Sequence, residues 1–63
     1  MSIGMKLRAL RGGKSQEKVA AELMITKSAL SMYERDKRIP RDEIKIRIAD
    51  YYNVSVGSIF YAE

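Results

Sequence analysis

Apolar residues recur along this chain at helical spacing. Val19, Ala20 and Leu23 fall at i, i+1 and i+4, and Ala29, Leu30 and Tyr33 repeat that spacing. Each set predicts a short amphipathic helix. Ser15 is placed to cap the first, from Gln16 to about Leu23, and Thr26 to cap the second, from Lys27 to about Glu34. Only Met24, Ile25 and the cap residue Thr26 separate the two, so their apolar stripes must meet. At about 100° per residue, Lys27, Ser28, Ser31, Met32 and Arg35 then project from the opposite side of the second helix. Upstream, Ile3, Leu7 and Leu10 predict a helix capped by Ser2 and stopped by Gly12-Gly13. Downstream, Ile44, Ile48, Tyr51 and Tyr52 form a stripe with Ile46 and Ala49 beside it. Pro40 is expected to open that helix, Asp42-Glu43 to suit its positive end and Asn53 to stop it. Ser55 caps a fifth helix through about Phe60, which closes the core. The expected fold is all-α, a compact bundle of five short helices, with residues 1–63 forming one domain.

The segment Ser15 to Tyr33 resembles the helix-turn-helix of the phage repressor/Cro (lambda-repressor-like) regulators. Those proteins carry a Gln opening the first helix of the motif, a small residue four positions later and an aliphatic ten beyond that, which Gln16, Ala20 and Leu30 match. The similarity continues through Tyr33-Glu34-Arg35, Lys37-Arg38, Pro40 and the block from Ile48 to Ser55, and so covers nearly the whole chain. It departs from the family pattern at several places. Lys14 stands where a hydrophobic residue is common, and Asp42 and Lys45 where many relatives are apolar. Met24 stands where the family usually has Gly, in a turn whose positive φ costs a residue with a side chain roughly 1 kcal/mol or more. Asp36 replaces a second common Gly, a milder change because Asp enters the left-handed region more readily.

Length and composition narrow the function classes. A chain of 63 residues has a small core and buries only about 60% of its unfolded surface. Hydrophobic content of 46% with 32% charged residues fits a folded soluble domain. No apolar run approaches a membrane span and Met1-Ser2-Ile3-Gly4 is not a signal peptide, so a cytoplasmic address is expected. Cys and His are both absent, which removes disulfides, thiolate metal sites and the commonest general base. Neither an enzyme nor a metal or other cofactor is expected. The charge of +4 is uneven: from Lys27 to Arg41 the basic residues Lys27, Arg35, Lys37, Arg38 and Arg41 face only Glu34 and Asp36. A polyanion is the natural partner of such a patch beside an exposed helix face.

Candidate sites follow from the helix face and from the resemblance. Lys27, Ser28, Ser31 and Met32 are placed to read bases, since a helix fits the major groove, Lys donates to guanine O6/N7, Ser bonds either way and Met meets a thymine methyl. Gln16, Thr26, Arg35, Lys37 and Arg38 are the candidate phosphate contacts, Thr26 also serving as a cap. Glu34 is either a solvated charge or, as in relatives, the partner of the helix-1 arginine that aligns with Arg11. The expected function is sequence-specific binding of double-stranded DNA by a transcriptional regulator, more a repressor than an activator, as a homodimer on a pseudo-palindrome. The dimer surface is expected in the C-terminal part, at Tyr51, Tyr52, Ile59, Phe60 and Tyr61. The alternative is a protein-interaction module of antitoxin or adaptor type on the same fold.

Overall fold

In the computed structural model, which describes residues 1–61, helices begin where hydroxyl side chains offer an acceptor. The Ser2 hydroxyl accepts from the Met5 N–H at 3.1 Å, Ser15 from Lys18 at 3.0 Å, Thr26 from Ala29 at 3.0 Å and Ser55 from Ser58 at 3.1 Å. Each bond satisfies one of the orphan donors of a first turn. The helices so started are α1 (Ile3–Arg11), α2 (Gln16–Leu23), α3 (Lys27–Glu34) and α5 (Val56–Phe60). The remaining helix, α4 (Asp42–Tyr52), has Arg41 at its N-cap and no side-chain cap; Asp42 and Glu43 instead place negative charge on its positive end. Pro40 was expected inside that first turn, but it precedes the N-cap. Its ring is buried and Arg41 after it is extended (φ −71°, ψ 166°), so the helix cannot begin before Asp42.

Three helices end in the same closure. Met24, Asp36 and Asn53 adopt φ of 61°, 59° and 58°. The next residue's N–H returns to a carbonyl five residues back: Ile25 to Ala20 at 3.0 Å, Lys37 to Met32 at 2.9 Å and Val54 to Ala49 at 3.0 Å. These are Schellman closures, normally built on Gly at the left-handed position. Asp and Asn tolerate that conformation, whereas Met carries the full steric penalty of about 1 to 2 kcal/mol. The strain expected at Met24 is therefore present. A fourth stop, at Gly12 with φ 59°, uses the residue type that meets no penalty.

Leu7, Val19, Leu23, Leu30, Ile44, Ile48, Ile59 and Phe60 pack into one core, with Ala20 and Tyr33 completing it. The α2 and α3 stripes do meet, and α1 packs chiefly on α3. Leu10 does not join them. It is 37% exposed, because Gly4 and Leu7 carry the buried side of α1 while Leu10 is turned to a groove against α5. Ile46 is likewise exposed, on the outer side of α4. Gly4 permits the closest approach of two helices: a Cβ built there would lie 2.3 Å from the Glu34 carbonyl oxygen. Its N–H donates to Asp36 Oδ1 at 2.9 Å, tying the start of α1 to the end of α3.

Candidate nucleic-acid interface

Lys27 and Ser28 are exposed in the first turn of α3, Ser31 and Met32 are half-buried one turn on, and Arg35 is exposed at its end. Together with Gln16 they line an open groove of about 430 Å³. All four candidate base-reading residues thus share one surface, flanked by two of the candidate phosphate contacts. Its chemistry is mixed: an ammonium, a guanidinium, two hydroxyls, a carboxamide and a thioether. It offers donors, acceptors and an apolar contact but no acid.

Beneath this groove lies a hydrogen-bonded polar cluster centred on Glu34. Glu34 is fully buried, and Arg11 grips its carboxylate with two prongs, Nε to Oε2 at 2.8 Å and Nη2 to Oε1 at 2.9 Å. Gln16 Nε2 donates to the same Oε1 at 2.9 Å. Arg11 Nη1 donates to the Lys14 carbonyl at 2.9 Å, and Arg8 Nη1 donates to the Glu34 carbonyl. Of the two readings of Glu34, the ion pair is the right one, and burial makes it matter. Breaking such a pair from one side leaves an uncompensated charge and costs about 3 to 5 kcal/mol. The bond to Glu34 holds Arg11 above its ordinary pKa. A carboxylate only accepts, so it also sets the amide of Gln16, whose nitrogen must face Glu34. One N–H and the carbonyl oxygen of Gln16 remain for the groove. Close by, the Tyr52 hydroxyl is buried without a hydrogen-bond partner among the described residues. Burial, reinforced by the negative charge of Glu34, pushes its pKa up to about 12.

The other candidate phosphate contacts lie across α3. Thr26 and Arg38 line a second cleft, of about 620 Å³, together with Arg41 and Arg47. Lys37 is exposed on the loop between α3 and α4. Two arginines here were absent from the sequence-based site. Arg41 was visible only as part of the basic run, and Arg47 as one charge within α4; no pattern in sequence says that Arg47 Nη1 reaches back to the Leu23 carbonyl at 2.9 Å. The loop after α3 is held from beneath: the Ser2 hydroxyl and the Gly4 N–H keep the Asp36 carboxyl below its ordinary pKa.

The C-terminal residues assigned to a dimer surface divide. Ile59 and Phe60 are buried in the monomer core, 1% and 7% exposed, and present no surface to a partner. This corrects the dimer expectation for both and bears out the expectation that Phe60 closes the core. Tyr51 and Tyr52 are half-buried and stacked edge to face at 4.9 Å, and the Tyr51 hydroxyl donates to Glu22. Tyr61 is 54% exposed, and its hydroxyl accepts from Lys45 Nζ at 3.0 Å.

A helix-turn-helix family model matches residues 5–59, the span from the first turn of α1 to near the end of α5. The chain belongs to this family, in its Cro/repressor-type branch of DNA-binding transcription regulators. Among curated proteins it is similar to the HTH-type transcriptional regulator ImmR of Bacillus subtilis (strain 168), at 39% identity over 57 residues. That match takes in 87% of this chain but 45% of ImmR, so the chain spans less than half the length of this relative. The matched span contains α2, the Met24-Ile25 turn and α3. Among the described residues, no helix is long and apolar enough to cross a membrane.

Proposed function

We propose that this domain binds double-stranded DNA in a sequence-specific manner, with α3 in the major groove, and that it represses transcription as a homodimer on a pseudo-palindromic operator. The observation that carries this reading is the single groove shared by Lys27, Ser28, Ser31 and Met32, the outward residues of the second helix of the motif. Lys27 and the two serines supply hydrogen bonds to base edges, and Met32 supplies the apolar contact to a thymine methyl. Gln16 and Arg35 meet the phosphates on one side of the groove; Thr26, Lys37 and Arg38 meet those on the other. Arg41, beside Arg38 in the second cleft, joins them.

Dimerisation follows from the scale of the interface. One α3 in one groove makes few contacts, and two copies about one DNA turn apart double them. Tyr61, with the outer edges of Tyr51 and Tyr52, is the proposed C-terminal contact. Repression is favoured because occupying promoter DNA is sufficient for it, whereas activation needs a further surface for the polymerase. ImmR is itself named a transcriptional regulator.

The test is selection of binding sites from random duplex, followed by affinity measurements over a range of salt. A recurrent palindromic motif is expected, with Lys37→Ala and Arg38→Ala each lowering the salt slope by about 1 while leaving the motif unchanged. Recovery of no motif, with an unaltered slope in both variants, would remove α3 and its loop from any DNA interface.

A further inference from the structure

The cleft on the far side of α3 from the base-reading groove combines two kinds of surface. Arg38 and Arg41 are exposed at its rim, and Arg47 lines it from α4. Between them stand Met24 and Ile39, 76% and 64% exposed. Among the described residues, the ion pair these arginines make is Arg41 with Glu43, at 4.0 Å with both side chains in solvent, too loose to neutralise the rim.

DNA accounts for the arginines but not for the aliphatic pair, because a phosphate backbone covers no apolar surface. Nor does the fold account for Met24. Its backbone is left-handed, where Gly fits without a steric penalty, and its side chain does not pack on the core. Neither local conformation nor folding energy favours a large apolar residue at that position, and its exposed side chain is available for a contact outside the folded chain.

We propose that this cleft docks an acidic, aliphatic peptide segment of another protein, its carboxylates on Arg38, Arg41 and Arg47 and its aliphatic side chains over Met24 and Ile39. Charge complementarity selects this occupant. A second copy of the chain, joined about a two-fold axis, would set the arginine rim against its own equivalent. The cleft includes Thr26 and Arg38, which the DNA-binding reading assigns to phosphates. Resting on that reading, the peptide and the duplex exclude one another, and the docking site acts as an off-switch for DNA binding.

The experiment uses the full chain with labelled Met and Ile methyl groups, titrated with a synthetic peptide alternating Glu and Leu and, separately, with a Glu-only peptide of equal charge. Saturable shifts at Met24 and Ile39 are expected with the Glu-Leu peptide, and affinity about tenfold or more lower for the Glu-only peptide. The double variant Met24→Gly, Ile39→Ser should lose that difference while its affinity for duplex DNA holds. Equal affinity for the two peptides, shifts confined to the Met32 side of α3, or no saturation at millimolar peptide would overturn the docking site. Methyl shifts that depend on protein concentration without peptide would assign the cleft to a second copy and overturn it as well. The switch is read separately, by displacing a labelled duplex with the Glu-Leu peptide. If the protein binds no duplex at all, the DNA reading fails and the titration still decides the docking site; if it binds duplex that saturating peptide does not displace, the exclusion is wrong.

Discussion

The two sides of α3 obey opposite rules. On the inner side the Glu34 carboxylate is fully buried and satisfied by Arg11 and Gln16, while its carbonyl accepts from Arg8. On the outer side Lys27, Ser28, Ser31 and Met32 line an open groove. The inner cluster positions the helix and can hardly change without loss of the fold. The outer face is exposed or half-buried, and under the proposed function it is the part that would vary with the target. Gln16 joins the two, being bound to Glu34 on one side and lining the groove on the other. A rigid base under a variable surface is what a reader of many possible sequences requires, since base contacts fail if the helix can shift by an ångström.

Breaking the inner side should have the largest effect. Glu34→Ala leaves Arg11 without its partner and is expected to destabilise the domain by about 3 to 5 kcal/mol in denaturant melts. In a domain this small that approaches the whole of its stability. A loss under 1 kcal/mol would mean that water replaces the carboxylate and that the cluster is not rigid. Next comes Gly4→Ala, whose new methyl meets the Glu34 backbone carbonyl rather than a side chain that could move aside. Overpacking of this kind costs about 1 to 3 kcal/mol, and thermal melts of the variant would reveal it.

The outer side should respond in specificity and not in stability. Under the proposed function, Met32→Gln exchanges an apolar contact for a side chain able to bond adenine N6 and N7, and should move the preference at one base pair by about 1 to 3 kcal/mol in each half-site. Paired selections from random DNA, with melting curves as the folding control, test this. A folded variant returning the wild-type motif would detach Met32 from base reading.

Smaller effects come from Met24 and Asp36, two of the three left-handed helix ends that lack Gly. Met24→Gly relieves the steric penalty at φ 61° and loses little packing, so stability should rise by up to about 1 kcal/mol. Asp36 differs, because its side chain holds α1. Its folded pKa is depressed, so its contribution is complete above the ordinary carboxylate range near pH 4 and is lost as pH falls through the folded value. Asp36→Asn retains the left-handed preference without the titrating charge, and should flatten the melting temperature against pH on the acid side. Unchanged acid sensitivity would mean that the Ser2 and Gly4 bonds do not depend on ionised Asp36.

Much of this molecule was legible in its residues because the relevant forces are local. The caps at Ser2, Ser15, Thr26 and Ser55 and the left-handed stops at Gly12, Met24 and Asn53 each involve groups within a few residues of one another. Helical periodicity then dictates that Lys27, Ser28, Ser31 and Met32 oppose Leu30 and Tyr33, so the candidate reading face needed no tertiary knowledge. What required the folded chain were contacts between residues far apart in sequence. Leu10 and Ile46 have the apolar character of core residues, yet neighbouring helices leave them at the surface, while Ile59 is drawn inside beside Phe60, whose place in the core was legible. Pro40 had a good local reason to begin α4, and the extended Arg41 after it prevented that. Gly4 carries no pattern at all; only the approach of α1 to the Glu34 carbonyl shows that nothing larger fits. The arginines of the second cleft come from the loop and from α4, and meet only because Arg47 reaches back to the end of α2. Periodicity describes one helix at a time, and the burial, pairing and clefts of this protein are set by how its helices are packed together.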